Sequence, residues 1–521
     1  MPANTFRIYL VTILMLCLAT VAVSAQSFRV QCPASTITHP TAGNNNSEPA
    51  YTVATSLTVG THGYYVPSST TVNGAIKCQQ ISGGDGYATM ADGTQTYMFS
   101  FGPLSGLTDI ANGKPGTQFP NVFNTLYVGP TLQPGDPATT GLTSFHYNGA
   151  VGLMPDPDNA NAVDGHVDPR QVMDVGVMNG NIPAPLMALD EDDEFFLTLT
   201  NVGMIMRPDL FEQHTVHFHG YPNASGFYDG VPDASVAINI GGSFTYYYLA
   251  PDAGTYFWHC HITPPEHLQM GMVGQIYVRP RQNRVPVGNS LYSALQVQQN
   301  DPRTACNSSA DILCTNPLPA SNTAARAPAG NYAYNDGDGS TYYDVEYPLQ
   351  IHGFDPNFHF VGMTFNPEEF ADMKDKYFLL NGRSYPDTVT PGPLQTVSSD
   401  GARHFSQPLP SIINIPAGGK ALLRISDLDV TEYQTLASIG IPMKVIAINA
   451  KLLRDQEGNN LYYNTNSITL GGGESLDVIL DASNTALYPA GSVFYLYTPN
   501  LDHLSNDAEN FGGLMTEVHI N

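Results

Sequence analysis

Residues 243–261 read Ser-Phe-Thr-Tyr-Tyr-Tyr-Leu-Ala-Pro-Asp-Ala-Gly-Thr-Tyr-Phe-Trp-His-Cys-His, which is two aromatic runs around a Pro-Asp-Ala-Gly turn. Aromatic and β-branched residues fit the half-buried surface of a sheet, and the turn separates the runs as it would two antiparallel strands. Similar runs lie at Phe195 to Thr200 and at Gly274 to Val278. The stretch from Val172 to Pro280 therefore predicts an antiparallel β-sandwich.

The rest of the chain predicts a second sandwich. A length of 521 residues is too great for one compact core. The chain has 29 Tyr and 23 Phe among 48 Gly and 40 Pro, which is typical of short strands joined by turns. Strand-like runs resume at Tyr377 and continue to Ile520. We predict an all-β protein of two Greek-key β-sandwich domains with a loop-rich N-terminal elaboration.

The domain limits follow from changes in composition. Arg7, an apolar run and then Val23-Ser24-Ala25 predict a signal peptide over residues 1–25, so the mature protein is expected to be secreted or periplasmic. The first domain is placed at 26–285, with a long loop insertion at Ser105 to Asp168. Residues 286–330 are interpreted as a linker, and 331–521 as the second domain. No segment after the signal is apolar over the length of a membrane span.

The charge of the chain limits its partners. Twenty basic and 46 acidic residues give a formal net charge of -26. Such a surface repels phosphate backbones and anionic lipid, so nucleic acid and membrane partners are not expected. The charge favours cationic substrates, although solubility alone also explains it.

The cysteine count leaves one thiol unpaired. Without the signal peptide, the cysteines are Cys32, Cys78, Cys260, Cys306 and Cys314. In an oxidising compartment these are expected to form disulfides, and Cys306 with Cys314 and Cys32 with Cys78 are the plausible pairs. Cys260 is then free, and its neighbours are histidines.

Two histidine clusters indicate a metal site. The first is His214-Thr-Val-His217-Phe-His219, and the second is His259-Cys260-His261, followed by His267 and Met272. Alternate side chains of a strand share a face. If the two strands pair, His217, His219, His259 and His261 gather on one face. Cys260 points to the other face, where His214 is available to it.

The second face carries the ligand set of a blue-copper site. Two imidazoles, one thiolate and a weak axial thioether bind copper for electron transfer. His214, Cys260, His267 and Met272 supply these groups, with Met270 a rival for the axial position. Zinc accepts the same donors, but a set of Cys, two His and Met favours copper. Metal binding also explains how Cys260 stays unoxidised.

These motifs resemble those of the multicopper oxidase family and, more distantly, of copper nitrite reductases. Asp229-Gly230-Val231-Pro232 and Gly254-Thr255-Tyr256 share this resemblance. It implies cupredoxin-like domains, and type 1 copper ligands at His214, Cys260, His267 and Met272. It further implies that His217, His219, His259 and His261 are type 2 and type 3 ligands, in half of a trinuclear centre that reduces dioxygen. The electron donor would be a phenol, a metal ion or a redox protein.

The chain departs from the family in two places. Two extra residues, within a Pro264-Pro265 turn, separate Cys260 from His267 relative to the common oxidase spacing. The second domain has Tyr433 to Ser438 and Tyr495 to Tyr497 where a copper-bearing domain would repeat the histidine motifs. It therefore resembles a metal-free domain, and one chain offers four of the eight histidines that a trinuclear centre needs.

We hypothesise that subunits of a homo-oligomer share the site. Two first domains meeting across a two-fold axis would supply eight histidines. Alternatively, a neighbour's second domain covers the site, with His503 as its suggestive donor. Two competing functions also stay open. A nitrite reductase is disfavoured because His217 stands where that family has its catalytic Asp. An electron carrier would need neither a second sandwich nor the histidines His217 and His261.

Overall fold

The computed structural model describes residues 32–41, 57–63, 65–68, 72–125, 149–220, 225–250, 252–298, 317–364, 369–397, 401 and 403–521. The predicted signal peptide and the predicted Cys306–Cys314 pair lie outside these residues. Within the described ranges, we find no helix that has the length and apolar character needed to cross a membrane.

The N-terminal half of the described chain forms one β-sandwich. Its strands are β1 (Leu57–Val59), β2 (Tyr65–Pro67), β3 (Ile76–Thr89), β4 (Gln95–Pro103), β5 (Leu153–Asp156), β6 (Asn159–Val167), β7 (Met187–Asp190), β8 (Glu194–Gly203), β9 (His217–His219), β10 (Ser243–Leu249), β11 (Gly254–His259) and β12 (Val273–Arg279). One sheet has the order β10-β8-β3-β4 and the facing sheet has the order β7-β12-β11-β9. The pairs β1-β2 and β5-β6 are separate hairpins.

The two sheets enclose an aromatic core. Trp258, the single tryptophan of the chain, is fully buried with its ring centroid 4.9 Å from that of Phe101 on the facing sheet. Leu197 and Ile276 belong to the same buried cluster. Burial of such side chains contributes roughly 1.5–3 kcal/mol each, so this core fixes the distance between the sheets. Cys260 lies in it as well.

Strand β3 is a strand that the sequence did not predict. It contains Gly83, Gly84 and Gly86, and glycine weakens a strand interior. The fold requires a glycine at 83, because a Cβ there would lie 2.8 Å from Cδ2 of His214. The absence of a side chain lets the backbone of β3 pack directly against a predicted copper ligand.

The described part of the N-terminal elaboration buries apolar side chains against strands β3 and β8 of the first sandwich, which differs from the interpretation of residues 105–168 as a surface loop. Leu107, Ile110 and Phe123 are buried in one cluster with Val151 and with the Cys32–Cys78 pair. The predicted disulfide between Cys32 and Cys78 is confirmed. Isolated apolar residues between Gly, Pro and Asn lacked a periodic pattern, so the sequence did not reveal this cluster.

The C-terminal half forms a second sandwich. Its strands are β13 (Asn331–Tyr332), β14 (Tyr342–Tyr343), β15 (Val345–Phe354), β16 (Tyr377–Leu380), β17 (Leu394–Val397), β18 (Arg403–Gln407), β19 (Ile413–Ile415), β20 (Lys420–Asp427), β21 (Gln434–Ile439), β22 (Met443–Ile448), β23 (Lys451–Leu452), β24 (Tyr463–Thr465), β25 (Ser467–Leu470), β26 (Glu474–Asp481), β27 (Val493–Tyr497) and β28 (Met515–Ile520). One sheet has the order β16-β15-β20-β26-β22-β23, with β24 beside β22, and the other has the order β19-β28-β27-β21-β25. Pairs β13-β14 and β17-β18 stand apart. The prediction of an all-β fold with two sandwiches is confirmed.

The helices in the described residues are short. They are α1 (Leu107–Ala111), α2 (Pro120–Phe123), α3 (Pro169–Gly176), α4 (Pro264–Gln269), α5 (Leu291–Gln298) and α6 (Pro356–Met363). Helix α4 begins with Pro264 and Pro265, whose fixed backbone angle suits the first turn of a helix. The sequence suggested a helix at Pro367 to Lys376. Residues 367 and 368 lie outside the described residues, and the described part, 369–376, contains a 3-10 turn at Phe370–Asp372 in place of a helix.

The two sandwiches contact each other through a buried ionic junction. Arg424 of β20 is fully buried, with Nε 3.0 Å from Glu346 and Nη1 3.8 Å from Asp477. Its guanidinium also lies over the ring of Tyr277 in the first sandwich. Thr255 of β11 donates to Asp477 at 2.5 Å. A buried charge is stabilised by its ion-pair partners, so removing one partner of this junction would leave the others uncompensated.

We expect Arg424→Met to destabilise the protein by about 3–5 kcal/mol, because Glu346 and Asp477 would keep buried charge with fewer partners. Urea unfolding followed by the fluorescence of Trp258 measures this loss. Lys420→Met is the matched control, since Lys420 pairs with Asp481 at the surface and its loss should cost less than about 1 kcal/mol. Equal effects of the two changes would show that the junction is not important for stability.

Candidate metal centre

Strands β9 and β11 bring the two histidine motifs together. They pair antiparallel with His217 opposite His259 and His219 opposite Phe257. The predicted strand from His214 to His219 is shorter than expected, because β9 begins at His217. His214 instead exchanges two backbone hydrogen bonds with Ile238, of 3.1 and 2.9 Å. This bridge holds its side chain in the core between the sheets.

Cys260 and two imidazoles converge in that core. The ligand atoms of His214, Cys260 and His267 all lie within 4.8 Å of one another, and each residue is fully buried. Nδ1 of His267 is 3.2 Å from Sγ of Cys260. His267 comes from α4, so the two-proline turn delivers it to the sulfur in spite of the longer spacing. The backbone N–H of Thr215 donates to the same sulfur at 3.4 Å.

Met272 lies on the same side of the core. A Cβ placed on Gly83 would be 2.8 Å from the ring of His214 and 3.5 Å from Cε of Met272, so these two side chains meet the same spot on β3. The backbone N–H of Cys260 also donates to the carbonyl of Met272 at 3.2 Å. Met270 is fully buried too. The shared contact with Gly83 favours Met272 over Met270 as the thioether that would join His214, Cys260 and His267.

The electrostatics of this cluster prepare the sulfur to bind a cation. Burial raises the pKa of the Cys260 thiol, but the adjacent His267 and His214 outweigh burial and hold the pKa well below its usual value. Burial lowers the pKa of His267, yet the thiolate and Glu212 raise it to about 10. Metal binding displaces such a proton, because the ligand nitrogen must be unprotonated.

His214 provides the test of whether a metal fits. Among the described residues, neither of its ring nitrogens has a hydrogen-bond partner, although both are buried. A buried polar atom without a partner costs about 1–3 kcal/mol, so it needs an explanation. A metal held jointly by His214, Cys260 and His267 supplies the partner. Thiolate and imidazole donors are suited to copper, so the residues fit this metal.

Four imidazoles share the opposite face, as predicted from strand alternation. The ring centroid of His217 lies 5.8 Å from that of His219, 5.3 Å from that of His259 and 5.1 Å from that of His261. His259 and His261 stack at 5.6 Å. His217 is therefore the centre of the group.

Backbone carbonyls orient two of these rings. Nδ1 of His217 is 2.6 Å from the carbonyl of Asp229, and Nδ1 of His259 is 2.8 Å from that of Cys260. Because a carbonyl accepts only, Nδ1 carries the proton and Nε2 keeps a lone pair for a metal. Burial lowers the pKa of His259 to about 3 and also lowers the pKa of His217 and His219. These rings are neutral at pH 7.

A cavity of about 500 Å³ adjoins this face. His219 and His259 line it on one side, and loops 428–433 and 471–473 of the second sandwich line the other. The chain's own second sandwich therefore covers part of the imidazole face. Asp429 and Glu432 are among the residues that line the cavity.

His503 is committed to structural contacts. Its Nδ1 is 2.9 Å from Gln434, its Nε2 is 2.9 Å from Asn500 and 3.1 Å from Glu432, and its ring stacks on Phe378 at 3.8 Å. Both nitrogens are thus occupied. These contacts argue against His503 as the missing donor.

Sequence reasoning missed two residues that act on the ligands. Oε2 of Glu212 lies 3.7 Å from Nε2 of His267. The hydroxyl of Thr215 accepts a hydrogen bond from the backbone N–H of His261 at 2.9 Å. Both residues lie within two positions of His214, and this closeness in sequence was the signal that could have identified them. A second carboxylate or hydroxyl next to a ligand commonly orients it.

Comparisons with known proteins find copper-containing relatives of part of the chain. A family model described as multicopper oxidase matches residues 161–283. This segment is similar to multicopper oxidase domains. The laccase abr2 of Aspergillus fumigatus is 35% identical over 109 residues, which are 20% of this chain and 17% of that protein. A copper-containing nitrite reductase of Rhizobium meliloti is 35% identical over 119 residues, 22% of this chain and 28% of that one.

The match to the family model covers part of the chain, and the chain spans about a sixth of the length of the curated laccase it matches. Among solved structures, the blue copper oxidase of Nitrosomonas europaea aligns with a TM-score of 0.47 and 17% identity, over 85% of each chain.

We expect Met272→Leu to raise the reduction potential of bound copper, because losing a weak sulfur donor destabilises Cu(II) more than Cu(I). Met270→Leu is the matched control and should leave the potential unchanged. Redox titration of the blue absorbance measures both. A shift in Met270→Leu alone would show that Met270, and not Met272, is the thioether donor.

Proposed function

We propose that this protein is a copper-dependent oxidoreductase that removes single electrons from a phenolic, metal-ion or protein donor and passes them to dioxygen. The convergence of buried His214, Cys260 and His267 behind a face of four imidazoles carries the proposal. The match of residues 161–283 to the multicopper oxidase family model supports it.

In this proposal the first site is a type 1 centre held by His214, Cys260, His267 and Met272. Copper, when bound, supplies reversible one-electron chemistry. Cys260 contributes the thiolate, which the N–H of Thr215 stabilises at 3.4 Å. The rigid core around the site keeps the ligands in place in both oxidation states, so little rearrangement is needed.

The second site is the face formed by His217, His219, His259 and His261. Burial lowers the pKa of His217, His219 and His259, and backbone carbonyls orient His217 and His259, which suits type 2 or type 3 copper. His259 and His261 flank Cys260 in sequence, so the two sites are joined by a short covalent path. The cavity beside His219 and His259 gives a small molecule such as dioxygen access to the rings.

We further propose that the second site is completed by another copy of the chain. One chain supplies four imidazoles on this face, which is half of the set in a trinuclear centre, and the second sandwich has Tyr495 to Tyr497 in place of a histidine motif. His219 is exposed and His217 and His261 are half-buried, so the face is accessible to a partner. A metal-free monomer that dimerises on adding copper would be the expected behaviour.

The N-terminal residues support secretion in the same proposal. The mature chain should begin near Gln26, which N-terminal sequencing of the protein from its native host measures. A mature protein that retains residues 1–25 would contradict this part.

Copper stoichiometry with paramagnetic resonance tests the function. We expect more than one copper per chain, distinct type 1 and type 2 signals, and dioxygen uptake with a phenolic or metal-ion donor. One copper per chain with blue absorbance and no dioxygen uptake would instead favour an electron carrier. Production of nitric oxide from nitrite would favour nitrite reduction, a candidate that the likeness to the Rhizobium meliloti enzyme supports.

A further inference from the structure

A buried tyrosine is hydrogen-bonded to a buried carboxylate next to the Cys260 cluster. The hydroxyl of Tyr97 on β4 donates to Oδ1 of Asp85 on β3 at 2.5 Å. Asp85 is 1% exposed and Tyr97 is 3% exposed. The other carboxylate oxygen of Asp85 accepts from the N–H of Met206 at 2.9 Å. In such a pair the carboxylate is positioned to accept the proton of the phenol.

The same two strands form the wall of the proposed type 1 site. The ring of Phe99 lies edge-on to the ring of His267, with centroids 5.2 Å apart. Tyr97 is two residues from Phe99 on the same face of β4, about 7 Å along the strand. Gly83, two residues from Asp85 on β3, touches His214. Tyr97 is therefore one side chain removed from a ligand of the site.

A second tyrosine connects Tyr97 to the surface. Tyr87 is the cross-strand neighbour of Tyr97, and their ring centroids are 5.8 Å apart. Tyr87 is half-buried, and its hydroxyl lies 3.6 Å from the sulfur of Met363 at the end of α6. A path of oxidisable or aromatic side chains therefore leads from the surface to His267. It passes through Met363, Tyr87, Tyr97 and Phe99.

Asp85 is suited to hold the phenolic proton. Burial raises the pKa of Asp85 to about 6, against the lowering effect of its bonds from Tyr97 and Met206. At neutral pH the carboxylate is largely ionised and can take up one proton. Arg207, which pairs with Asp209, carries a positive charge that acts to lower the pKa of Tyr97.

We propose that Tyr97 is a redox-active relay residue that passes electrons from donors at the Tyr87–Met363 surface to the type 1 site. Copper held by His214, Cys260, His267 and Met272 would supply a one-electron acceptor. In the first step Tyr97 would give up one electron to it, and the hydroxyl proton of Tyr97 would move to Asp85. In the second step the resulting tyrosyl radical takes one electron from the donor through Tyr87, and the proton returns from Asp85. The donor leaves oxidised by one electron. The transfer of electrons from Tyr97 to the type 1 site rests on the proposed function, because it needs copper at Cys260.

The chain offers a matched control in Tyr247. Its hydroxyl donates to Glu194 at 2.7 Å, so it is also bonded to a carboxylate in the same sandwich. Its ring instead lies against Phe196, with centroids 5.3 Å apart, on the far side of the sheet from His267. Tyr247→Phe removes an equivalent hydrogen bond without touching the relay.

The first measurement uses the metal-free protein. A photoexcitable ruthenium complex is attached to Phe360→Cys, an exposed position on α6 close to Met363. Flash oxidation of the label should produce a persistent tyrosyl radical in paramagnetic resonance, because Asp85 traps the proton. Tyr97→Phe and Asp85→Asn should each lose the persistent signal, and Tyr247→Phe should keep it. A persistent radical of unchanged yield in Tyr97→Phe would overturn the proposal.

The second measurement uses the copper-loaded, fully reduced protein with the same label. Oxidation of the label should be followed by growth of blue absorbance, and Tyr97→Phe should slow this growth at least about tenfold. An unchanged rate with copper bound would overturn the relay alone. Failure of the protein to bind copper would overturn both the proposed function and the acceptor assigned to Tyr97. Thermal unfolding of each variant shows whether it is folded before either measurement is made.

Discussion

Cys260→Ser should abolish blue absorbance and remove one copper per chain. The thiolate is the covalent, soft donor of the proposed type 1 site, and a serine hydroxyl does not ionise to replace it. Because oriented partners of metal ligands alone change activity 10- to 100-fold, loss of a direct ligand should lower oxidase activity more than about 100-fold. Copper analysis and visible absorption measure the first effect, and dioxygen uptake the second.

Met270→Leu serves as the control for Cys260→Ser, since it changes a buried side chain of the same core without removing a proposed ligand. It should retain both the colour and the copper content. If Cys260→Ser kept its blue absorbance, the assignment of the thiolate would be wrong. The other cysteines of the described chain are paired in the Cys32–Cys78 disulfide and cannot substitute for it.

His217→Ala should remove dioxygen reduction while the blue absorbance persists. His217 touches each of the other three rings, so its loss disrupts the whole face. The Cys260 cluster lies on the opposite side of β11 and keeps its own ligands. We expect dioxygen uptake to fall by more than about 100-fold, with the type 2 signal lost and the type 1 signal unchanged.

His519→Ala is the matched control for the histidine change, because His519 lies on β28 of the second sandwich and bonds to Glu517 at 2.7 Å. It should leave dioxygen uptake unaltered. Normal uptake in His217→Ala would mean that the four-imidazole face is not where dioxygen reacts, and it would favour the electron-carrier alternative.

The site was predictable because its geometry is local. Strand alternation alone separated Cys260 from His259 and His261, and pairing of the two motifs then gathered four rings. The structure reproduces that pairing with His217 opposite His259. The spacing between Cys260 and His267 was less informative, since it took the short helix α4 to bring the imidazole to 3.2 Å from the sulfur.

Other features depended on contacts between distant parts of the chain. Strand β3 reads as a loop because its glycines have low strand propensity. The structure explains one of these glycines. Gly83 packs against the ring of His214, which is 131 positions away in sequence, and a side chain at position 83 would collide with that ring. The pairing of Tyr97 with Asp85 and the edge contact of Phe99 with His267 likewise have no signature in sequence.

The sequence by itself determined the fold class, the two histidine motifs and the unpaired thiol, because strand periodicity and residue chemistry are properties of short segments. Only the tertiary structure decided which glycines lie against the ligands, which carboxylates face them, and how the second sandwich covers the imidazole face. Those depend on the packing of segments far apart in sequence, where shape and burial outweigh local propensity.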